Sequence, residues 1–318
     1  MNTAGRLGLY GAGLVIAFGA AYLAAGAIVP ESTVAAWSQA SHADDQSHST
    51  EPAQQNTQEK KEQDVSGTTI SASGFTLGPI GAPPAAGADG ELSFRILTAA
   101  GEPATTYDTA HGKQLHLIVV RNDGTQYRHV HPELDTATGV WSLPWTWDAA
   151  GTYRIYTDFV SDGTAATLSR TIDVAGTLTP APATEVIRTA SVDGFDVAIS
   201  GDLVAGADSE LTVEVTRDGE PVTALEPYLG AFGHLVALRD GDLAYLHVHA
   251  HGDEPQPGDT AGPAVDFTAG VPSAGRYLLY LDFQVDGQVH TAQFVLDAAA
   301  SDAAPDHGSD GGGDHGGH

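Results

Sequence analysis

Six histidines recur at matched places in this chain: His116, His129 and His131, then His234, His247 and His249. Aligned without a gap, residues 115–131 and 233–249 share seven of seventeen positions: the three histidines, the Leu after the first, an Arg, a Tyr and a Val. Imidazole is the commonest protein metal ligand, and three of them converging with a fourth position open suit Zn(II) or Cu(II). The chain has no cysteine and Met1 is its only methionine, which excludes thiolate zinc sites, iron–sulfur clusters and the Cys and Met ligands of blue-copper centres. Any metal must be held by His, Asp, Glu or backbone oxygen.

Two β-hairpins are needed to bring these residues together. Each histidine set spans an apolar run, an Asp-Gly turn signal and a second run ending in His-Val-His. Residues i and i+2 of a strand share a face, so His129 projects with His131 and His247 with His249. A two-residue turn at Asp123-Gly124 pairs His116 with His131, and one at Asp240-Gly241 pairs His234 with His247. Three imidazoles then share one face of each hairpin. A three-residue loop with a bulge would alter that parity.

The same pattern admits a packing role. Half-buried rings of a His-x-His strand are satisfied by hydrogen bonds to backbone or to a carboxylate such as Asp158 or Asp282. Those two aspartates sit in otherwise apolar strands, where an unpaired carboxylate is costly. Either each faces solvent at a strand end or it has a specific partner, a histidine of the same domain being the obvious candidate; as an acceptor outside the metal's own ligands it would fix an imidazole tautomer. Arg121 and Arg239, just before the turns, read as surface charges or as salt-bridge partners of these aspartates. Trp141, Trp145 and Trp147 share one parity and read as core. His111 and His290 have no counterpart in the other copy and carry less weight.

The repeat extends beyond the hairpins. Ala86-Gly87-Ala88-Asp89 returns as Ala205-Gly206-Ala207-Asp208, Gly101-Glu102-Pro103 as Gly219-Glu220-Pro221, and Tyr156-Thr157-Asp158-Phe159 as Tyr280-Leu281-Asp282-Phe283. Short β-type runs punctuated by Gly, Pro and Asp, without an amphipathic helix, predict an all-β chain of two tandem antiparallel β-sandwiches, at 68–175 and 185–298, joined by a linker at 176–184. Before them, residues 31–67 read as a polar, disordered stalk containing His42 and His48, and after them 299–318 as a disordered Asp/Gly/His tail. His307, His315 and His318 in that tail are weak metal collectors on compositional grounds, or part of an inert solubilising segment.

Within residues 1–30, the 23 uncharged residues from Leu7 to Val29 follow Arg6 and precede Glu31. That length crosses a bilayer of roughly 30 Å as one transmembrane helix. A cleaved signal peptide is the alternative, with Ala25-Gly26-Ala27 as its small-residue site. Either reading places the remaining domains outside the cytoplasm, at the cell membrane or, after cleavage, secreted. The balance of 13 basic against 41 acidic residues, a net charge of −28, argues against nucleic acid as a partner.

The motif Gly233-His234-Leu235-Val236-Ala237-Leu238-Arg239 with Tyr245-Leu246-His247-Val248-His249 resembles one found in membrane-anchored extracytoplasmic bacterial proteins related to YtkA-like and FixH-like β-sandwich domains. In such proteins Pro follows the final His, as at His131-Pro132, whereas His249 is followed by Ala250. The resemblance implies an immunoglobulin-like fold and a link to heavy-metal handling, chiefly of copper.

Two functions follow as expectations. One is a membrane-anchored binding protein for a divalent metal, copper or zinc, held by the hairpin histidines; ligation would weaken as the rings protonate near pH of about 6.5. The other is a structural or adhesive tandem sandwich with core histidines, whose partner is another envelope protein. No nucleophile elbow, phosphate loop or His-Glu-x-x-His helix appears, so no enzyme is expected.

Overall fold

The computed structural model describes residues 67–246, 248–256 and 258–301. The expected anchor, the stalk up to residue 66, the tail histidines His307, His315 and His318, and His247 lie outside these residues. Among the described residues no helix is long and apolar enough to cross a membrane.

In chain order the first repeat contains β1 (Ser71–Ala72), β2 (Phe75–Leu77), β3 (Asp89–Thr98), β4 (Leu115–Arg121), β5 (Arg128–Val130), β6 (Glu133–Asp135), β7 (Val140–Thr146), β8 (Gly151–Ser161) and β9 (Thr164–Val174). They form two sheets, β1-β2-β3-β7-β6 and β5-β4-β8-β9. The second repeat contains β10 (Thr189–Val192), β11 (Phe195–Ser200), β12 (Leu203–Val204), β13 (Asp208–Arg217), β14 (Glu220–Pro221), β15 (His234–Arg239), β16 (Tyr245–Leu246), β17 (Val248–Ala250), β18 (Ala264–Gly270), β19 (Gly275–Val285) and β20 (Gln288–Ala299). Its sheets are β10-β11-β13-β18-β17, with β14 on β13, and β12-β20-β19-β15-β16. The chain is thus all-β, a tandem pair of β-sandwiches.

Each sandwich closes over its own core. In the first, Leu115, Leu117 and Val119 of β4 pack with Trp141, Trp145, Trp147 and Ile155, so the three tryptophans are core, as expected. In the second, Leu235 and Ala237 of β15 pack with Phe267, Leu279 and Phe283. Residues of the opposite parity, Ile118, Val120, Val236 and Leu238, point away from these cores and meet in a third cluster with Tyr127, Tyr156, Tyr245, Leu278 and Tyr280. The two repeats therefore pack back to back, and every residue of β4 is buried. Burying one such aliphatic side chain contributes roughly 1.5–3 kcal/mol, which is why the outward parity stays apolar.

Contacts across this seam are reciprocal. The Tyr280 hydroxyl donates to Gly124 O at 2.6 Å, and the Tyr156 hydroxyl donates to Leu243 O. Tyr127 stacks on Tyr280 with ring centroids 4.0 Å apart, and Tyr245 lies against Tyr156 at 5.6 Å. Gly124 is required at its turn, since its φ is +79° and a Cβ there would fall 2.5 Å from Leu278 Cδ1. Gly124→Ala should lower stability by about 1–3 kcal/mol through strain and the clash across the seam, measured by equilibrium denaturant unfolding.

The linker is tied to both repeats. Arg121 donates to Thr179 O at 3.1 Å, Ala181 N donates to Asp123 Oδ2 at 2.9 Å and Arg276 donates to Ala183 O at 3.3 Å. Of the two expectations for the turn arginines, pairing with Asp158 or Asp282 is not found. Arg121 pairs with Asp123 and Arg239 with Asp242, not with Asp158 or Asp282. An Asp two or three residues along the same turn lies within reach of the guanidinium, whereas Asp158 and Asp282 lie farther along β8 and β19.

Candidate metal centre

In the first hairpin the observed pairing is Leu117 with Val130 and Ile118 with His129, the register expected from the sequence. It arises by a different route. Arg121 N donates to Thr125 O at 2.9 Å across a three-residue loop, and Gln126, at φ +57°, supplies one extra residue that restores the register. His116, His129 and His131 consequently share the outward face of β4 and β5. One ring nitrogen from each lies within 4.8 Å of the others.

The hydrogen bonds decide which nitrogens carry protons. His116 Nε2 lies 3.1 Å from Ala110 O, which only accepts, so Nε2 carries the proton and Nδ1 is a bare lone pair. His129 Nδ1 lies 2.8 Å from Asp282 Oδ2 and donates to the carboxylate, leaving its Nε2 bare. Yet His116 Nδ1 is 3.1 Å from that His129 Nε2 and 3.2 Å from His131 Nε2. With one proton at most, on His131, the His116 and His129 lone pairs face each other with no donor between them. Nitrogens on a tetrahedral zinc ion, each at 2.0–2.1 Å, stand about 3.3 Å apart, close to the spacing seen.

Burial keeps the rings neutral. Desolvation, reinforced by His116, lowers His129 to about 3. Desolvation, with His129 and His116 nearby, lowers His131 to about 3. His116 is lowered chiefly by burial, and His234 is pushed well below the ordinary range, again by burial first and His129 next. Asp282, with its side chain 2% exposed, is raised by burial to about 6 against the bond it accepts from the Thr291 hydroxyl. A cation bound by the rings would favour the ionised carboxylate.

Three expectations change. Asp282 is hydrogen-bonded to a histidine of the other repeat, His129, while lying opposite His234 of its own, because the outward faces of β4–β5 and β19 meet at the seam. Its counterpart Asp158 is paired in register with His116, and its carboxylate accepts from the Thr167 hydroxyl at 2.6 Å. The second hairpin does not repeat the first: Ala237 pairs with Leu246 across a four-residue turn, where a two-residue turn would pair it with Ala244.

His249 is the largest departure. It belongs to β17, which pairs with β18 of the other sheet, opposite Thr268. Its side chain is exposed, and it is not among the residues that converge. With His251, it instead lines a cavity of about 460 Å³ whose wall includes His111, Asp158 and His234. His234 itself reaches the cluster, its ring 4.9 Å from His129 and stacked 5.8 Å from His116. His111, which lacks a counterpart in the repeat, stands 6.1 Å from His116 and 6.3 Å from His234. Its place could not be found by comparing the copies. His290 is structural, bonded to Asp193 at 2.8 Å and packed on Phe195 and Phe283.

A family model described as Domain of unknown function (DUF8832) matches residues 69–176 and again 190–300. The chain belongs to the DUF8832 family. Each sandwich is one DUF8832 unit, and the candidate cluster lies where the two units meet. None of the curated proteins matches the chain. Among solved structures, Salmonella alpha-2-macroglobulin reacted with methylamine is 14% identical over 74% of this chain and 15% of that one, with a TM-score of 0.24. Invasin, a bacterial integrin-binding protein, is 13% identical over 71% of this chain and 39% of that one, with a TM-score of 0.21. The D0-D1 domain of intimin is 12% identical over 66% of this chain and 87% of that one, with a TM-score of 0.18. Likenesses this low carry no weight for the DUF8832 chain's function.

Proposed function

We propose that the chain is a membrane-anchored, extracytoplasmic metal-binding protein of two immunoglobulin-like sandwiches, in which His116, His129 and His131 hold one Zn(II) or Cu(II) ion. One observation carries the reading: three imidazole nitrogens converge with at most one proton among them, and the His116 and His129 lone pairs face each other. A buried acceptor left without a donor costs about 1–3 kcal/mol. A cation between them removes that cost, and the outer bonds to Ala110 and Asp282 orient the rings as metal-bound histidines are oriented. The resemblance of the hairpin motif to copper-linked envelope domains supports copper, and the apolar segment before the stalk supports the membrane.

The test is calorimetric titration of Cu(II) and Zn(II) into the full-length chain with His42, His48, His307, His315 and His318 replaced by Ala, beside the same chain carrying His116→Ala and His131→Ala. Tight, near-integral uptake lost in the second protein is the expected result. Equal uptake by both, or none by the folded parent, would return the histidines to a packing role.

The lowered ring pKa values reverse the simple expectation for pH. Protons compete for exposed imidazoles near about 6.5, but for His129 and His131 only near about 3. A zinc-loaded full-length chain dialysed at about pH 5.5 should therefore keep the cluster's ion and release ions held by exposed histidines. Metal analysis after dialysis checks this; complete release would sink it.

A further inference from the structure

We propose a second cation site beside the first, held by His129, His234 and Asp282 across the seam and sharing the His129 ring with it. One ligand atom from each of the three residues falls within 4.8 Å of the others. His234 and Asp282 are directly opposed on β15 and β19, and His129 reaches them from the other repeat. The inference rests on the first site being a metal site, because the shared ring links the two.

Two features on the Asp282 side of the seam point to a cation here. His234 Nδ1 is buried without a hydrogen-bond partner, which is rare for an imidazole unless something else takes its lone pair or proton. Asp282 is a buried carboxylate whose resolved hydrogen bonds come from a hydroxyl and an imidazole: Thr291 Oγ1 at 2.6 Å and His129 Nδ1 at 2.8 Å. No lysine or arginine among the described residues forms an ion pair with it. A buried anion without a full positive charge beside it is unstable, and a divalent cation supplies that charge. Two imidazoles and a carboxylate form a ligand set that zinc and copper both accept. The cavity lined by His234, His111 and His249 gives the ion a way in.

His129 faces the first site with Nε2 and the second with Nδ1. Filling both sites displaces the Nδ1 proton to solvent, and the ring becomes an imidazolate bridging two ions. Two Cu(II) ions so bridged exchange-couple, and their paramagnetic resonance signal falls as the second ion binds.

The experiment is Cu(II) titration of the full-length chain lacking the stalk and tail histidines, followed by calorimetry and by double-integrated electron paramagnetic resonance. The parent is expected to take up two equivalents, the second reducing the signal. His234→Ala should take up one, with an ordinary isolated signal. His234→Gln, which keeps a polar side chain in the enclosed position, must match His234→Ala, and thermal melting establishes that both are folded. A parent that binds one equivalent, indifferent to His234→Ala but lost with His116→Ala and His131→Ala, overturns the second site and leaves the first. Two equivalents with additive signals also overturn it, and no uptake at all overturns both.

Discussion

A His129→Ala chain is expected to lose metal uptake at the cluster, with affinity falling at least about a hundredfold. Structural zinc sites with four ligands bind with roughly 10–16 kcal/mol, so one ligand is worth about 3 kcal/mol, and about 1.4 kcal/mol is a factor of ten. His129 should be the most sensitive position because both its nitrogens are committed, Nε2 to the converging lone pairs and Nδ1 to Asp282. Its removal also leaves the Asp282 carboxylate buried without that donor, so the metal-free variant should melt at a lower temperature than the parent. His249→Ala is the matched control: its side chain is exposed, and neither affinity nor melting should change measurably. Calorimetry and thermal denaturation of the two variants check both statements, and equal losses in both would place the ligands elsewhere.

The second large effect is remote from every ligand. Leu238 is 0% exposed, in the apolar cluster between the repeats. Leu238→Ala should cost about 2–5 kcal/mol in denaturant unfolding, the range for removing a buried Leu side chain. It should also weaken metal binding, because the packing of the seam holds Asp282 against His129. Loss of such an outer partner typically costs 10–100-fold in affinity, and Asp282→Asn should reproduce that part alone. A Leu238→Ala chain that is less stable yet binds metal unchanged would show that the second repeat does not support the site.

Much of this arrangement was legible in the residues. The strand runs, the duplication and the core tryptophans follow from alternation and turn chemistry, and the pairing of His116 with His131 follows from counting back from Asp123-Gly124. The second hairpin departs for a local reason. Asp240-Gly241 looks like a two-residue turn, but Asp242 is drawn to Arg239 and accepts from Ala244 N at 3.1 Å, which lengthens the turn to four residues. The chain then crosses to the other sheet, taking His249 with it. The seam had a signal that alternation alone does not exploit: β4 and β15 are apolar at both parities, Leu117 and Val119 beside Ile118 and Val120, Leu235 and Ala237 beside Val236 and Leu238. Such strands need cover on both faces. Once that cover is the other repeat, an aspartate of one finds a histidine of the other.

The reciprocal tyrosines have a further consequence. Each repeat lays a strand tyrosine on the other's turn, Tyr280 on Gly124 and Tyr156 on Leu243. That is the pattern of an isologous two-fold interface, in which the same patch meets itself. A single repeat would therefore carry a self-complementary face, and the tandem chain is in effect a homodimer whose subunits have been joined. In a symmetric pair every site occurs twice. Joining the subunits removes that constraint and lets one half keep ligands while the other is reshaped to support them, as Asp282 supports His129 here.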